Sequence, residues 1–380
     1  MYAPLRLLYS LRPHAPTGLL FGALAAGFMF ALSPFSIPDV ADQFGIGIGA
    51  AGMLSAVQVG GFGVVNLLAG RIFAPSVRLL RTGLLLLVAM DILSAVSPAF
   101  TPLVIFRAFA GVGAGLITWV AWADSMGEKR RFADVAAIGP IGAIIGAPIL
   151  GGLVEYGGFR IAYAFLALFG ATIFLLPQHL VSRPTHRTRR VSSSRSNLIL
   201  LLALAILTLA GSSLFIYAAG IANEHFGLGP LAVSFAFSLN AAGGVIATRL
   251  ELARFPTMFW FFAIIVSIFA VSIDFSVIAF YVGMTLWGFA FWMALPRVLR
   301  MLAQRSLSPD ERIGDAQAGM AFGRALGPLV GAPLATAGAF LGLGALAASG
   351  MVLAGVMVGG VELFRRGRQE PSVASLLWRA

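Results

Sequence analysis

Apolar runs of the ~18–20 residues that a bilayer crossing requires recur along this whole chain, separated by short polar stretches. Twelve such runs are expected, at residues 19–38, 50–69, 82–100, 102–123, 135–154, 161–180, 198–221, 231–248, 257–273, 277–295, 316–337 and 341–361. The second and the eighth are rich in Gly, Ser, Gln and Asn, so hydropathy ranks them lowest.

Composition places the chain far from soluble proteins. Of its 380 residues 59% are hydrophobic and 11% charged, and its mean hydropathy is +0.93, against soluble norms of about 45–50% apolar and ~25% charged. The pattern predicts an all-α, polytopic membrane protein. All but three of the 26 Lys and Arg residues fall in alternate connections or at the ends, the exceptions being Arg107, Arg160 and Arg324. Because basic residues are retained on the cytoplasmic side, both termini are expected inside, in a bacterial inner membrane. The net charge of +11 is then mostly topology, which removes the main reason to expect a nucleic-acid partner. The opening "MYAPLRLLYSLRPHAPTG" leads straight into a full-length span, so the first helix is expected to act as the targeting signal. With no cysteine there are no disulfides and no thiolate-ligated metal.

The most polar stretch, "SRPTHRTRRVSSSRSN" at 182–197, reads as a cytoplasmic linker. Its two sides resemble each other. "ADQFGIG", Ala41 to Gly47, returns as "NEHFGLG", Asn223 to Gly229, 182 residues later, and "GAPI" at Gly146 returns as "GAPL" at Gly331, 185 residues later. Agreement in order, offset and place predicts two six-helix bundles, 1–181 and 198–380, related by a repeat of the kind that secondary transporters carry.

Three local motifs resemble the major facilitator superfamily. "NLLAGRIFAPSVRLLR", Asn66 to Arg81, occupies the loop where that family carries a G-x-L-A-D-R-x-G-R-R pattern, with Arg71 and Arg78 at basic positions and Gly70 where the family has an acid. "RAFAGVGAG", Arg107 to Gly115, fits its R-x-x-x-G-x-G pattern, and "GAPILGG", Gly146 to Gly152, resembles the fifth-span pattern of its antiporters. The resemblance implies two bundles with a substrate site between them near mid-membrane, and a fifth helix that packs on the other half and limits leakage. Gly111 and Gly115, four apart, permit close helix approach. Gly146, Gly151 and Gly152 suit a packed face, and Pro140 and Pro148 should bend that helix.

Ionisable groups at membrane depth are expensive and therefore informative. In "VIFRAFAGVGAGLITWVAWAD", Arg107 lies about five residues into the fourth span, roughly 7–8 Å deep. Asp91, mid-way along the third span, or Asp39, at the outer end of the first, would neutralise it; either pair is a candidate for proton coupling or a static ion pair. Arg324 in the eleventh span is a candidate anion-binding group. Gln58 and Asn240 occupy comparable parts of the second and eighth spans. Trp119, Tyr217, Tyr281 and Trp287 lie on helices that the resemblance places around the cavity, while Trp122 and Trp292 are expected in the interfacial aromatic belt.

No catalytic or metal constellation competes. The four His are scattered near ends and loops, and neither H-E-x-x-H nor a phosphate-cradling G-x-x-x-x-G-K-[ST] is present. The expectation is a secondary transporter rather than an enzyme, without cofactor, with a small-molecule substrate, protons and membrane lipid as its partners, and monomeric. Its expected activity is proton-coupled efflux of a small organic or amphipathic compound; the alternative is an organic-anion carrier using the buried arginines.

Overall fold

The computed structural model describes residues 13–126, 128–180, 195–250, 255–305 and 309–367. The terminal segments lie outside the described residues, as does the linker at 182–197 apart from its last three residues, which open a helix. All regular structure among the described residues is helical.

Among the described residues twelve helical segments follow one another. They are α1 (Thr17–Phe44), α2 (Ile48–Ile72, interrupted at Gly52), α3 (Val77–Ala95), α4 (Phe100–Ser125), α5 (129–157), α6 (159–172), α7 (Arg195–Phe226, interrupted after Phe215), α8 (Pro230–Arg249), α9 (Thr257–Ser272), α10 (Val277–Gln304), α11 (Pro309–Thr336) and α12 (Phe340–Gly367). The two copies of the F-G-[IL]-G string have one structural job. Gly45 (φ 62) and Gly227 (φ 63) end α1 and α7 in the left-handed conformation that glycine adopts without a Cβ penalty. Ser76 and Ser276 cap α3 and α10, accepting from Leu79 N at 3.2 Å and Ala279 N at 3.1 Å.

Three expectations change. α5 and α6 are not separated by a loop: they run as one stretch, Lys129–Thr172, broken only at Gly158 (φ 69, ψ 177), a conformation restricted to glycine. α6 passes into a 3₁₀ turn at Ile173–Leu175, ahead of Pro177, rather than reaching residue 180. Finally, α2 and α8 are long and apolar enough to cross a membrane, as are six other stretches. The weak spans are instead α3, which carries Arg78, Arg81 and Asp91, the short α9, and α11, whose Gly, Ala and charged residues dilute it.

Helices α1–α6 pack among themselves, as do α7–α12, and each set is built on the same close approach. A Cβ added to Gly111 of α4 would overlap the backbone oxygen of Gln58 in α2, and one added to Gly61 would overlap that of Ala108. In the second set Gly288 of α10 meets the oxygen of Asn240 in α8, and Gly243 meets that of Thr285. Small residues permit such contact where lipid supplies no hydrophobic driving force between helices. The two sets meet along α2–α11, α5–α8 and the ends of α1 and α7. Large apolar side chains such as Leu85, Ile105, Phe262 and Val356 stand exposed on the outside, as a surface facing hydrocarbon requires.

Candidate functional site

A cavity of about 470 Å³ lies between the two sets. From the first set, Phe30 and Pro34 of α1 and Ser55, Val59 and Phe62 of α2 form one wall. The second set supplies more, including Thr208, Ser212 and Phe215 of α7, Asn240 of α8, Trp287, Phe291 and Trp292 of α10, and Arg324 of α11. The rings lock one another: Phe30 meets Phe62 edge-on at 5.0 Å, and Phe215 meets Trp287 at 5.5 Å.

Most of the polar groups in this wall are already engaged. Thr208 donates to Leu204 O at 3.0 Å, Ser212 to Leu209 O at 3.3 Å, and Asn240 Nδ2 to Met284 O at 2.8 Å. Arg324 is different. Among the described residues its guanidinium has no hydrogen-bond or ion-pair partner, and no carboxylate lines the cavity.

Of the side chains singled out from sequence, Asn240, Trp287 and Arg324 face this cavity and four do not. Gln58 is buried, its amide donating to Met29 O at 3.2 Å and Ser33 Oγ at 3.1 Å. Tyr217 is wholly buried beyond the cavity, its hydroxyl donating to Pro328 O at 2.7 Å and Gly49 O at 3.4 Å. Tyr281 donates to Ala232 O and ties α10 to α8. Trp119 packs on Val65 and Ala69, with its ring beside Gly70, where the family pattern has an acid. Each ring or amide satisfies a nearby backbone or fills a helix contact instead of facing the cavity. Of the two tryptophans expected in the belt, Trp292 lines the cavity instead, while Trp122, near the end of α4, packs on Phe132 with ring centroids 5.2 Å apart. The phenylalanines of the wall were missed, because nothing in their sequence separates them from the many that face lipid.

The buried charges form a second site, inside the first set and away from the cavity. Arg107 Nη2 donates to Asp91 Oδ1 at 2.7 Å, with relative exposures of 0% and 1%. It also donates to Met90 O at 3.1 Å, while Nε donates to Ser94 Oγ at 2.9 Å and the guanidinium lies 4.2 Å over the Tyr163 ring. Asp39 is not its partner. Oδ2 of Asp39 accepts from Phe159 N at 2.6 Å, where the Gly158 break exposes the first amide of α6.

The glycines and basic residues of the motifs also divide. Gly115 packs on Phe62 and Val65 of α2. Gly146 faces the Phe28 ring of α1, within its own set, whereas Gly151 faces Ser234 and Pro230 of α8, across the interface; Gly152 touches only Leu231, at ordinary contact distance. Pro148 lacks the N–H that Ile144 O would accept, and Ser238 Oγ of α8 donates to that oxygen instead, at 2.9 Å. Arg71 and Arg78 stand exposed at the basic face.

The chain matches the Major Facilitator Superfamily over residues 19–332. Two solved structures of a bacterial homologue of the human lysosomal transporter Spinster superpose on it. The inward-facing unoccupied form has TM-score 0.71 and the inward-facing occupied form 0.69, each at 14% identity and covering 93% of this chain and 98% of the other. No curated protein matches it.

Proposed function

The chain belongs to the Major Facilitator Superfamily, and from that premise we propose that it carries a small amphipathic organic compound across the cytoplasmic membrane by alternating access, with Arg324 holding an anionic group of the compound. The chain is a transporter of that superfamily and not an enzyme. One observation carries the reading of the substrate: the cavity wall holds a guanidinium with no partner among the described residues, surrounded by aromatic rings and no carboxylate. The Arg324 side chain is exposed to the cavity, so an anionic head with an apolar body pairs with it while filling the aromatic wall.

In this reading 1–181 and 198–380 rock as two six-helix units joined by the linker at 182–197, with both termini cytoplasmic, in lipid and as a monomer. The hydrogen bonds seen between the units, from Ser238 to Ile144, Tyr217 to Gly49, Gly49 to Thr336 and Leu231 to Glu155, lie at mid-span or at the face opposite the basic loops. Such an arrangement supports an inward-facing carrier, with Gly111 and Gly115 keeping α2 and α4 rigid and Gly146, Pro148, Gly151 and Gly152 shaping α5.

Transport into proteoliposomes tests the substrate class, with cationic and anionic amphiphiles offered against an imposed pH gradient. Arg324→Ala is expected to weaken anionic substrate at least about ten-fold, the loss of one charge-assisted hydrogen bond, and Arg324→Lys to weaken it less. Equal transport by wild type and Arg324→Ala would remove the anion reading.

Proton-coupled efflux of a cationic or neutral compound is the second reading. The interface position of Gly151 in the antiporter-like string favours it. Counterflow of protons with a cationic drug, abolished in Asp91→Asn, would establish it.

A further inference from the structure

Two of the hydrogen bonds that cross between the units end on the same kind of group. Glu155 Oε2, near the end of α5, accepts from Leu231 N at 2.8 Å, and Thr336 Oγ1, at the end of α11, accepts from Gly49 N at 3.2 Å. Leu231 and Gly49 are the second residues of α8 and α2, 182 positions apart, which is the offset of the F-G-[IL]-G repeat.

The amides of a first helical turn have no partner inside their own helix. Ordinarily a Ser, Thr, Asp or Asn at the N-cap accepts from them. Here both N-caps are glycine, Gly47 and Gly229, and neither offers a side chain. In α8 the first helical residue is Pro230, so Leu231 N–H is the first that the helix possesses. The same glycines make room for the substitute. A Cβ at Gly229 would lie 2.6 Å from Glu155 Oε2, and one at Gly47 would lie 2.8 Å from Thr336 Cγ2. Each unit therefore caps a helix of the other.

The two caps are not copies. By the Gly-Ala-Pro match Thr336 corresponds to Gly151, and Glu155 stands one turn farther out, so a long carboxylate on one side answers a short hydroxyl on the other. The carboxylate gains further from the positive end of α8. Tyr217 is buried close by, its hydroxyl bonded to Gly49 O and Pro328 O, so the Thr336 cap belongs to one tightly closed end.

We propose that Glu155 and Thr336 are gating residues, reciprocal caps that hold the face opposite the basic loops shut and must both release before that face opens. They position helices and touch no substrate. Each cap is expected to bias the closed state by roughly five-fold.

The chain contains no cysteine, so a single introduced thiol reports this face directly. Ser234→Cys is nearly isosteric, fully buried, and placed where α8 meets Gly151. Its labelling in membranes by an impermeant maleimide should accelerate about five-fold in Glu155→Ala and in Thr336→Val, and multiplicatively when both are combined. Glu155→Gln and Thr336→Ser keep an acceptor oxygen and should stay near the parental rate. Ser272→Cys, buried beside Gly344 within the second set, reports general loosening and should not change. Parental labelling of Ser234→Cys in both cap variants overturns the proposal, as does equal acceleration at Ser272→Cys; if Glu155→Ala fails to fold, Thr336→Val alone decides it. The readout needs no substrate, so it stands or falls separately from the anion reading.

Discussion

At the scale of single residues, the Arg107–Asp91 pair shows how a permanent charge survives inside a membrane protein. Its Nε and Nη2 donate to a hydroxyl, a carboxylate and a backbone oxygen, Nη1 is buried without a partner among the described residues, and an aromatic ring covers its face. Both charges belong to α3 and α4 of one set, so rocking of that set as a rigid body leaves the pair closed. The geometry therefore favours an architectural charge over a switching one. Arg107→Ala strands a buried carboxylate and is expected to cost about 3–5 kcal/mol, read as a large fall in the temperature at which detergent-solubilised protein aggregates. Arg107→Lys keeps the charge without the planar fork and should fall between. Substrate-induced proton release, measured on purified protein, is expected to be the same in Asp91→Asn and wild type; its loss in that variant would return the pair to proton coupling.

At the scale of helices, the same residue type does different work according to what it faces. Gly151 lets α5 approach α8 of the other unit, while Gly146, five residues earlier, makes room for Phe28 of its own unit. Gly151→Leu is thus expected to impair transport and raise labelling of Ser234→Cys while the protein still folds. Gly146→Leu is expected to lower thermal stability without that selective change in labelling. Pro148 gives a third test on the same helix. Ser238→Ala leaves Ile144 O without its substitute donor, and should destabilise the α5–α8 contact by roughly 1–3 kcal/mol, again visible as faster labelling at the interface.

At the scale of the whole molecule, the described basic connections lie on one face, and the closing contacts lie at mid-span or at the other. In a bilayer the basic face is expected to be cytoplasmic. Thiols introduced by Ser193→Cys and Asp274→Cys are expected to react from opposite sides of right-side-out vesicles, Asp274→Cys from outside. Asp274 suits the purpose because it is exposed in the short connection between α9 and α10. Reaction of both from one side would overturn the arrangement of spans.

The sequence by itself determined the all-helical class, the order of the spans and the repeated strings. Those follow from local quantities: the length of an apolar run, the position of a basic residue, a glycine ending a helix. It also pointed to Arg107 and Asp91, since charges at membrane depth stand out in any reading. Which polar side chains reach the cavity was decided by the tertiary structure alone. Gln58 and Asn240 occupy comparable positions, yet only Asn240 reaches it, while Tyr217 and Tyr281 spend their hydroxyls on backbone oxygens. Trp292 was expected at the membrane surface and lines the cavity. The reciprocal caps at Gly49 and Leu231 were hidden for the same reason, since each partner comes from the opposite unit. Lipid is as apolar as a helix interface, so hydrophobic pattern does not tell the face of a membrane helix that looks inward from the face that looks at hydrocarbon; only the neighbouring helix settles what a polar side chain meets.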